Sequence, residues 1–352
     1  MNDRPVRVLI VEDSMVAQNL LKGIIAGDSR FEIAGIAING RQAVEYVQTL
    51  KPDVVSMDIQ MPVMDGVEAT REILQVYPVP IIIVSSLYQP SEVEMAMRVL
   101  EAGAVTILPR PYGPGHPQFA QTARQYLNLL KSMSQVKVIK RRPIQAVSPK
   151  VVEVSEYQTG TGNLTRDYKI LVIGASAGGP EGIKTILSGL SPDFNLPIII
   201  VQHIDGHFAQ GFCDWLNDTS KLPVSLAGHN EMIRPGHVYL PPGDKHLVVK
   251  SKGVVDISDL PPEKGLRPSV AVLFRSVARI YGKETIALLL SGMGADGAAE
   301  LKILRNEGAF TMVQDQQSCL VFGMPGAAVN LGAACKILSP DAMITEIGRL
   351  TI

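Results

Sequence analysis

From Val6 to about residue 130 the chain alternates short apolar runs with longer helical stretches. The apolar runs are Val6–Val11, Phe31–Ala37, Asp53–Met57, Ile81–Ser85 and Ala104–Leu108. Runs this short and this rich in β-branched residues predict buried strands. Helices are predicted to begin near Ser14, Gly40, Asp65, Pro90 and His116. Five βα units of this size predict an α/β fold built on a doubly wound parallel sheet.

The alternation stops at 131–168. Lys131, Lys137, Lys140, Arg141, Arg142 and Lys150 fall there with no acid before Glu153, and Pro143, Pro149, Gly160 and Gly162 break any period. The stretch reads as an exposed basic linker with a helical start, its charge serving solubility. It separates a first domain, 1–130, from a second, 169–352. The second domain repeats the α/β pattern. Strands are predicted at Ile170–Ile173, Pro197–Gln202, Val224–Ala227, His237–Leu240, Leu247–Lys250, Val254–Ile257, Thr285–Leu290 and Phe310–Val313. Helices are predicted near 180–190, 207–218, 268–282, 296–307 and 324–331, and the turn around Ser251–Gly253 predicts an antiparallel hairpin on one edge of a mostly parallel sheet.

Composition narrows the function classes. The 352 residues suffice for two or three domains, and a formal net charge of −1 argues against a polyanion-binding surface, hence against nucleic acid as a partner. Cys213, Cys319 and Cys335 are too few and too scattered for a disulfide framework or a zinc site, and read as reduced thiols. The chain enters a strand without a signal peptide, and no apolar run approaches a membrane span. A cytoplasmic protein with no membrane insertion is expected.

Parallel sheets bind ligands beyond the carboxyl ends of their strands. In the first domain those ends are acidic. Glu12 and Asp13 follow the first strand and Asp58 the third, while Ser85 and Ser86 close the fourth and Arg110 follows the fifth. Three converging carboxylates repel, and Mg²⁺, which takes oxygen ligands, relieves that repulsion. A carboxylate beside Mg²⁺ can accept a phosphoryl group, with Ser85 bonding a phosphoryl oxygen and Arg110 pairing with its charge.

In the second domain KILVIGASAGGP carries Ser176 on a strand-to-helix turn, within the G-x-S-x-G pattern of a nucleophile elbow. PIIIVQHID places His203 after an apolar strand, and LSGMGADGA places Asp296 in a glycine-rich loop after another. Hydroxyl, imidazole and carboxylate at three strand ends make a nucleophile, a base and its orienter. The N–H groups of Ala177 and Met293 are candidates for an oxyanion hole. A dinucleotide site would need an acid after the second strand of this domain, where Gln202 and His203 stand instead. A zinc pair of His203 and His207 lacks the intervening glutamate and is interrupted by Gly206.

VEDS at 11–14, MDIQMPVMDG at 57–66, the serine pair at 85–86 and the step Arg110–Pro111 resemble a response-regulator receiver domain, a flavodoxin-like fold. The resemblance implies Asp58 as phosphoacceptor, with Glu12, Asp13, Asp58 and the Gln60 carbonyl as Mg²⁺ ligands. Receivers usually carry lysine where this chain has Arg110. The order Ser…His…Asp is not that of the α/β-hydrolases. VIGASAGGP, VQHID, RPGHVYLPPGDKHL at 234–247, RPSVAVLF at 267–274, LSGMGADGA and FGMPGAAV at 322–329 resemble the catalytic domain of the CheB family. Two departures are Ala177, where many members have threonine, and Ala271, where aspartate is expected.

The family resemblance implies a phosphorylation-regulated protein-glutamate methylesterase acting in chemotaxis adaptation, with glutaminyl deamidase activity at the same site. It implies Ser176 as nucleophile, His203 as base, Asp296 as orienter and the Met293 N–H on the oxyanion. The implied substrate is a glutamate γ-methyl ester on a chemoreceptor, and the implied phosphodonor is the histidine kinase CheA. Mg²⁺ belongs to the receiver, with no cofactor in the catalytic domain. The receiver is expected to cover the cleft until phosphorylated. The rival reading is a phospho-dependent signalling and binding module with a weak or inactive hydrolase domain. A DNA-binding regulator would need a basic helix-turn-helix output, unlike this neutral α/β domain.

Overall fold

The computed structural model describes residues 4–85, 90–136, 138, 152–153 and 167–351. Ser86 and most of the basic stretch lie outside the described residues. The chain divides into two compact units, Met1–Pro143 and Ile144–Ile352.

The first unit runs β1 (Val6–Val11), α1 (Met15–Ala26), β2 (Phe31–Ala37), α2 (Gly40–Leu50), β3 (Val54–Met57), α3 (Gly66–Val76), β4 (Ile81–Ser85), α4 (Pro90–Ala102), β5 (Thr106–Pro109) and α5 (Phe119–Met133). Side-chain caps set three of the helix starts, because each satisfies an N–H that the first turn leaves open. Ser14 accepts from the Ala17 N–H, Asn39 from Gln42 and Asp65 from Glu68. The strands pair in parallel in the order β2-β1-β3-β4-β5. The order reverses between β1 and β3, whose last residues Val11 and Met57 are register partners. The loops carrying Glu12, Asp13 and Asp58 therefore leave the sheet side by side. Helix α5 extends into the stretch expected to be linker.

The second unit contains β6 (Val152–Glu153), β7 (Ile170–Ala175), α6 (Gly179–Gly189), β8 (Ile198–Gln202), α7 (Ala209–Thr219), β9 (Val224–Leu226), β10 (Glu231–Met232), β11 (Val238–Leu240), β12 (His246–Ser251), β13 (Val254–Ser258), α8 (Val270–Ile280), β14 (Thr285–Leu289), α9 (Ala298–Asn306), β15 (Phe310–Gln314), α10 (Met324–Asn330), β16 (Lys336–Leu338) and α11 (Pro340–Leu350). Eight strands form one sheet in the order β6-β16-β15-β14-β7-β8-β11-β9, parallel except for β6. Strands β7, β8 and β14 are buried along their whole length, the mark of a parallel sheet covered on both faces. The predicted hairpin is β12–β13. It joins β10 in a separate three-stranded antiparallel sheet, while β6 is the antiparallel strand on the large sheet's edge. Strand β7 is central, with β8 on one side and β14 on the other, so the crevice where the chain changes direction opens at their carboxyl ends.

Among the described residues no helix is long and apolar enough to cross a membrane.

Candidate active site and acidic pocket

In the first unit, one carboxylate oxygen each from Glu12, Asp13 and Asp58 lie within 4.8 Å of one another. Asp13 is exposed, Asp58 half-buried and Glu12 buried. Backbone bonds hold the two loops together: the Asp58 N–H donates to Val11 O at 2.9 Å. Burial, then the neighbouring Asp58 charge, pushes the Glu12 carboxyl up to about 7, against the pull of Arg110. Arg110 answers both acids with a single nitrogen, Nη2, at 2.9 Å from Glu12 Oε2 and 3.2 Å from Asp58 Oδ2. Its own N–H donates to the carbonyl of Ser85, which closes β4 with its side chain buried. Gln60 lies exposed in the loop after Asp58. Among the described residues this is the one group of three side chains able to hold a metal.

In the second unit, β7 delivers Ser176 to a turn whose geometry is fixed by its neighbours. The Ser176 N–H donates to Ser291 O at 3.0 Å, and its carbonyl accepts from the Gly179 N–H at 2.8 Å. Gly178 adopts φ 73°, and a Cβ there would lie 2.5 Å from Leu320 Cβ and 2.8 Å from Ser291 Oγ. Only glycine fits both the conformation and the space. Pro180 then sits in the first turn of α6.

His203, next after β8, contacts Asp296 through Nε2 and Oδ2 at 2.8 Å. A carboxylate only accepts, so Nε2 donates and the neutral imidazole keeps its lone pair on Nδ1. Asp296 sits where the N-terminus of α8 meets the loop after β14. It also accepts from Ser269 Oγ at 3.0 Å, from the Val270 N–H at 2.7 Å and from the Ala271 N–H at 3.2 Å. Burial pushes its carboxyl up, but the His203 hydrogen bond and charge and the two helix N–H groups outweigh burial and hold it below 3.8. Position 271, which lacks the expected aspartate, thus contributes through its backbone. His207 pairs with Asp205 at 2.6 Å and stays exposed, so it does not join His203 as a ligand pair.

The glycine loop after β14 rides directly on Ser176. A Cβ at Gly292 would come 2.8 Å from Ser176 Cβ, and Met293 follows at once. Among the described residues neither the Ala177 nor the Met293 N–H has a protein acceptor. Two open donors flanking a serine suit a developing oxyanion. No hydrogen bond joins the Ser176 hydroxyl to His203 among the described residues, and such bonds commonly tighten only with substrate in place.

Supporting residues outside the expected set complete the site. Buried Ser291 ties the elbow to two loops, donating to Ala177 O at 2.8 Å and accepting from the Val321 N–H at 3.0 Å. Gln314 Oε1 receives the Ser291 N–H at 2.8 Å. Ser269 caps α8, and its N–H is received by Nδ1 of buried His246 at 3.2 Å. The serine before a helical run is a readable cap signal. The histidine and the glutamine carry none, because their partners are distant in sequence.

Two family models match the chain: CheB methylesterase over residues 171–347 and response regulator receiver domain over residues 8–120. The chain belongs to the CheB methylesterase family. A protein-glutamate methylesterase/protein-glutamine glutaminase of Geobacter metallireducens is 47% identical over 99% of this chain and 99% of its own length. One from Syntrophus aciditrophicus is 41% identical over 98% of each. The crystal structure of the Thermotoga maritima CheB methylesterase catalytic domain matches with a TM-score of 0.50 and 34% identity, covering 52% of this chain and 98% of that one. This CheB-family chain thus pairs a receiver with a catalytic α/β domain, as its motifs led one to expect.

Proposed function

We propose that this chain removes methyl groups from glutamate γ-methyl esters of chemoreceptors in chemotaxis adaptation, under control of phosphorylation at Asp58. The observation that carries the reading is the His203–Asp296 pair beside the Ser176 turn, at three adjacent strand ends of a CheB-family domain. His203 Nδ1 takes the Ser176 hydroxyl proton as Oγ attacks the ester carbonyl carbon. The Ala177 and Met293 N–H groups receive the oxyanion. Asp296 steadies the imidazolium, which returns its proton to the leaving methoxide and so releases methanol. Water, deprotonated by His203, then hydrolyses the acyl-serine to glutamate. With a glutaminyl side chain the same steps release ammonia.

The acidic pocket suits Mg²⁺. Its donors are all oxygen, its three carboxylates crowd within 4.8 Å, and one of them is driven up towards neutrality by burial and by its neighbour's charge. Glu12, Asp13, Asp58 and the Gln60 carbonyl would hold the ion, which when bound neutralises charge during phosphoryl transfer. Asp58 accepts the phosphoryl group from the histidine kinase CheA, and Ser85 and Arg110 read the result. The compartment is the cytoplasm, where the receptor's methylated helices lie.

The test is methanol release from methylated chemoreceptor membranes by the native chain and by Ser176→Ala, each with and without acetyl phosphate and Mg²⁺. Release that depends on Ser176 and rises with phosphodonor supports the reading. Equal release by both chains overturns the serine mechanism, and none from either overturns the activity.

A further inference from the structure

Gln202 is the last residue of β8, next to the base, and the residue is only 4% exposed. Its amide spends both hydrogens on the backbone of the site. Nε2 donates to the carbonyl of Ser176 at 2.8 Å and to the carbonyl of His203 at 2.9 Å. One planar group therefore bridges the main chains of nucleophile and base, which sit on different strands 27 positions apart. A second link runs alongside it, from the His203 N–H to Ala175 O at 2.9 Å. The bridge is costly to build. Gln202 Oε1 is buried without a hydrogen-bond partner among the described residues, and a buried amide oxygen left so loses its water for nothing in return. Room for it depends on a missing side chain, since a Cβ at Gly179 would lie 2.5 Å from Oε1. An apolar residue of similar shape would avoid the unpaired oxygen, so packing alone does not explain glutamine here.

From this geometry we infer that Gln202 is a positioning residue for the esterase reaction, setting the spacing and angle between Ser176 Oγ and His203 Nδ1. The inference rests on the serine-hydrolase reading above. Misplacement by about 1 Å costs of the order of 100-fold in rate, so an error of a few tenths of an ångström is expected to cost about 10- to 100-fold. The loss is expected on the chemical step, because Gln202 is buried and acts through the backbones of Ser176 and His203.

The experiment uses the full chain, with Gln202→Met, which keeps the length and removes both donors, and Gln202→Glu, which keeps the shape but, ionised or protonated, cannot make both donations. Methanol release from methylated chemoreceptor membranes gives kcat and KM, measured well below the unfolding midpoint of every chain. The rate of Ser176 sulfonylation by phenylmethylsulfonyl fluoride reads the same serine–imidazole pair without receptor docking. The expected result is a fall of about 10- to 100-fold in both kcat and sulfonylation rate, with KM within about twofold of native. Native values of both rates in either folded variant, or a raised KM with unchanged kcat, overturn the inference. If Gln202→Met fails to fold, Gln202→Glu alone decides. If neither folds, the residue is a structural one and the inference fails. A native chain whose turnover is unaffected by Ser176→Ala overturns the hydrolase reading itself, an outcome distinct from native rates in the Gln202 variants.

Discussion

His203 meets Asp296 through Nε2, which leaves the lone pair of the neutral imidazole on Nδ1. Asp296 accepts the Nε2–H hydrogen bond together with those of three donors at the start of α8. The orientation of the imidazole is therefore tied to a helix terminus as well as to a loop.

Ser176→Ala should abolish methanol release. Because the residue sits half-buried on a turn and its hydroxyl makes no hydrogen bond within the described residues, stability should change by no more than about 1 kcal/mol. His203→Ala should lose nearly as much activity, since the residues act as a unit. Turnover assays paired with urea denaturation check both statements.

Asp296→Asn presents an amide N–H₂ where His203 Nε2, the Ser269 hydroxyl and the Val270 and Ala271 N–H groups all donate to the native carboxylate. The mutant should lose about 10⁴-fold in kcat as the imidazole tautomer is no longer enforced. It should also lose about 1–3 kcal/mol of stability from the mispaired buried group. The stability difference should depend on pH. The native carboxyl is held below its ordinary value, so its contribution is present above pH 3.8 and fades as pH falls through the depressed folded value. Denaturation of both proteins at neutral pH and near pH 3 should show the gap narrowing in acid; a gap that widens there would contradict the assigned charge.

Asp58→Asn should keep basal esterase activity and lose stimulation by acetyl phosphate with Mg²⁺. Incorporation of labelled phosphate should vanish in parallel. Full stimulation in this mutant would place the phosphoacceptor elsewhere.

Arg110→Lys should retain phosphorylation while changing the ratio of stimulated to basal activity. One arginine nitrogen already serves both Glu12 and Asp58, and an ammonium can offer the same point of charge. The rest of the guanidinium, including a buried Nε, fills space that lysine leaves open. Phosphate incorporation and methanol release measured side by side decide it, and native values of both would make the substitution neutral.

Much of this architecture could be read from short apolar runs, because strands buried on both faces announce themselves without alternation. Ser176, His203 and Asp296 each follow such a run, and Glu12, Asp13 and Asp58 do so in the first unit. Two-residue β6 and β10 are too short to show a period, and three-residue β16 follows a run of small residues, Gly332 to Cys335, with no apolar run of strand length to mark it. Helix α11 carries a readable start, the cap Ser339 followed by Pro340, but lies C-terminal to every family motif. The bonds of Gln202, Ser291 and His246 depend on which strands are neighbours. Strand order is a property of the folded sheet, which spacing along the chain does not encode.

Strand β6 comes from the segment between the two α/β domains, yet it hydrogen-bonds to β16 at the rim of the catalytic sheet. A catalytic fragment begun at Lys169 would strip that strand away and leave the edge of β16 at Lys336 and Ile337 unpaired. Such a rim is a template for pairing with a second copy. Fragments cut ahead of Val152 should stay monodisperse at concentrations where those cut at Lys169 self-associate. Where the chain is severed thus decides whether its catalytic half behaves as one molecule or as a sticky one.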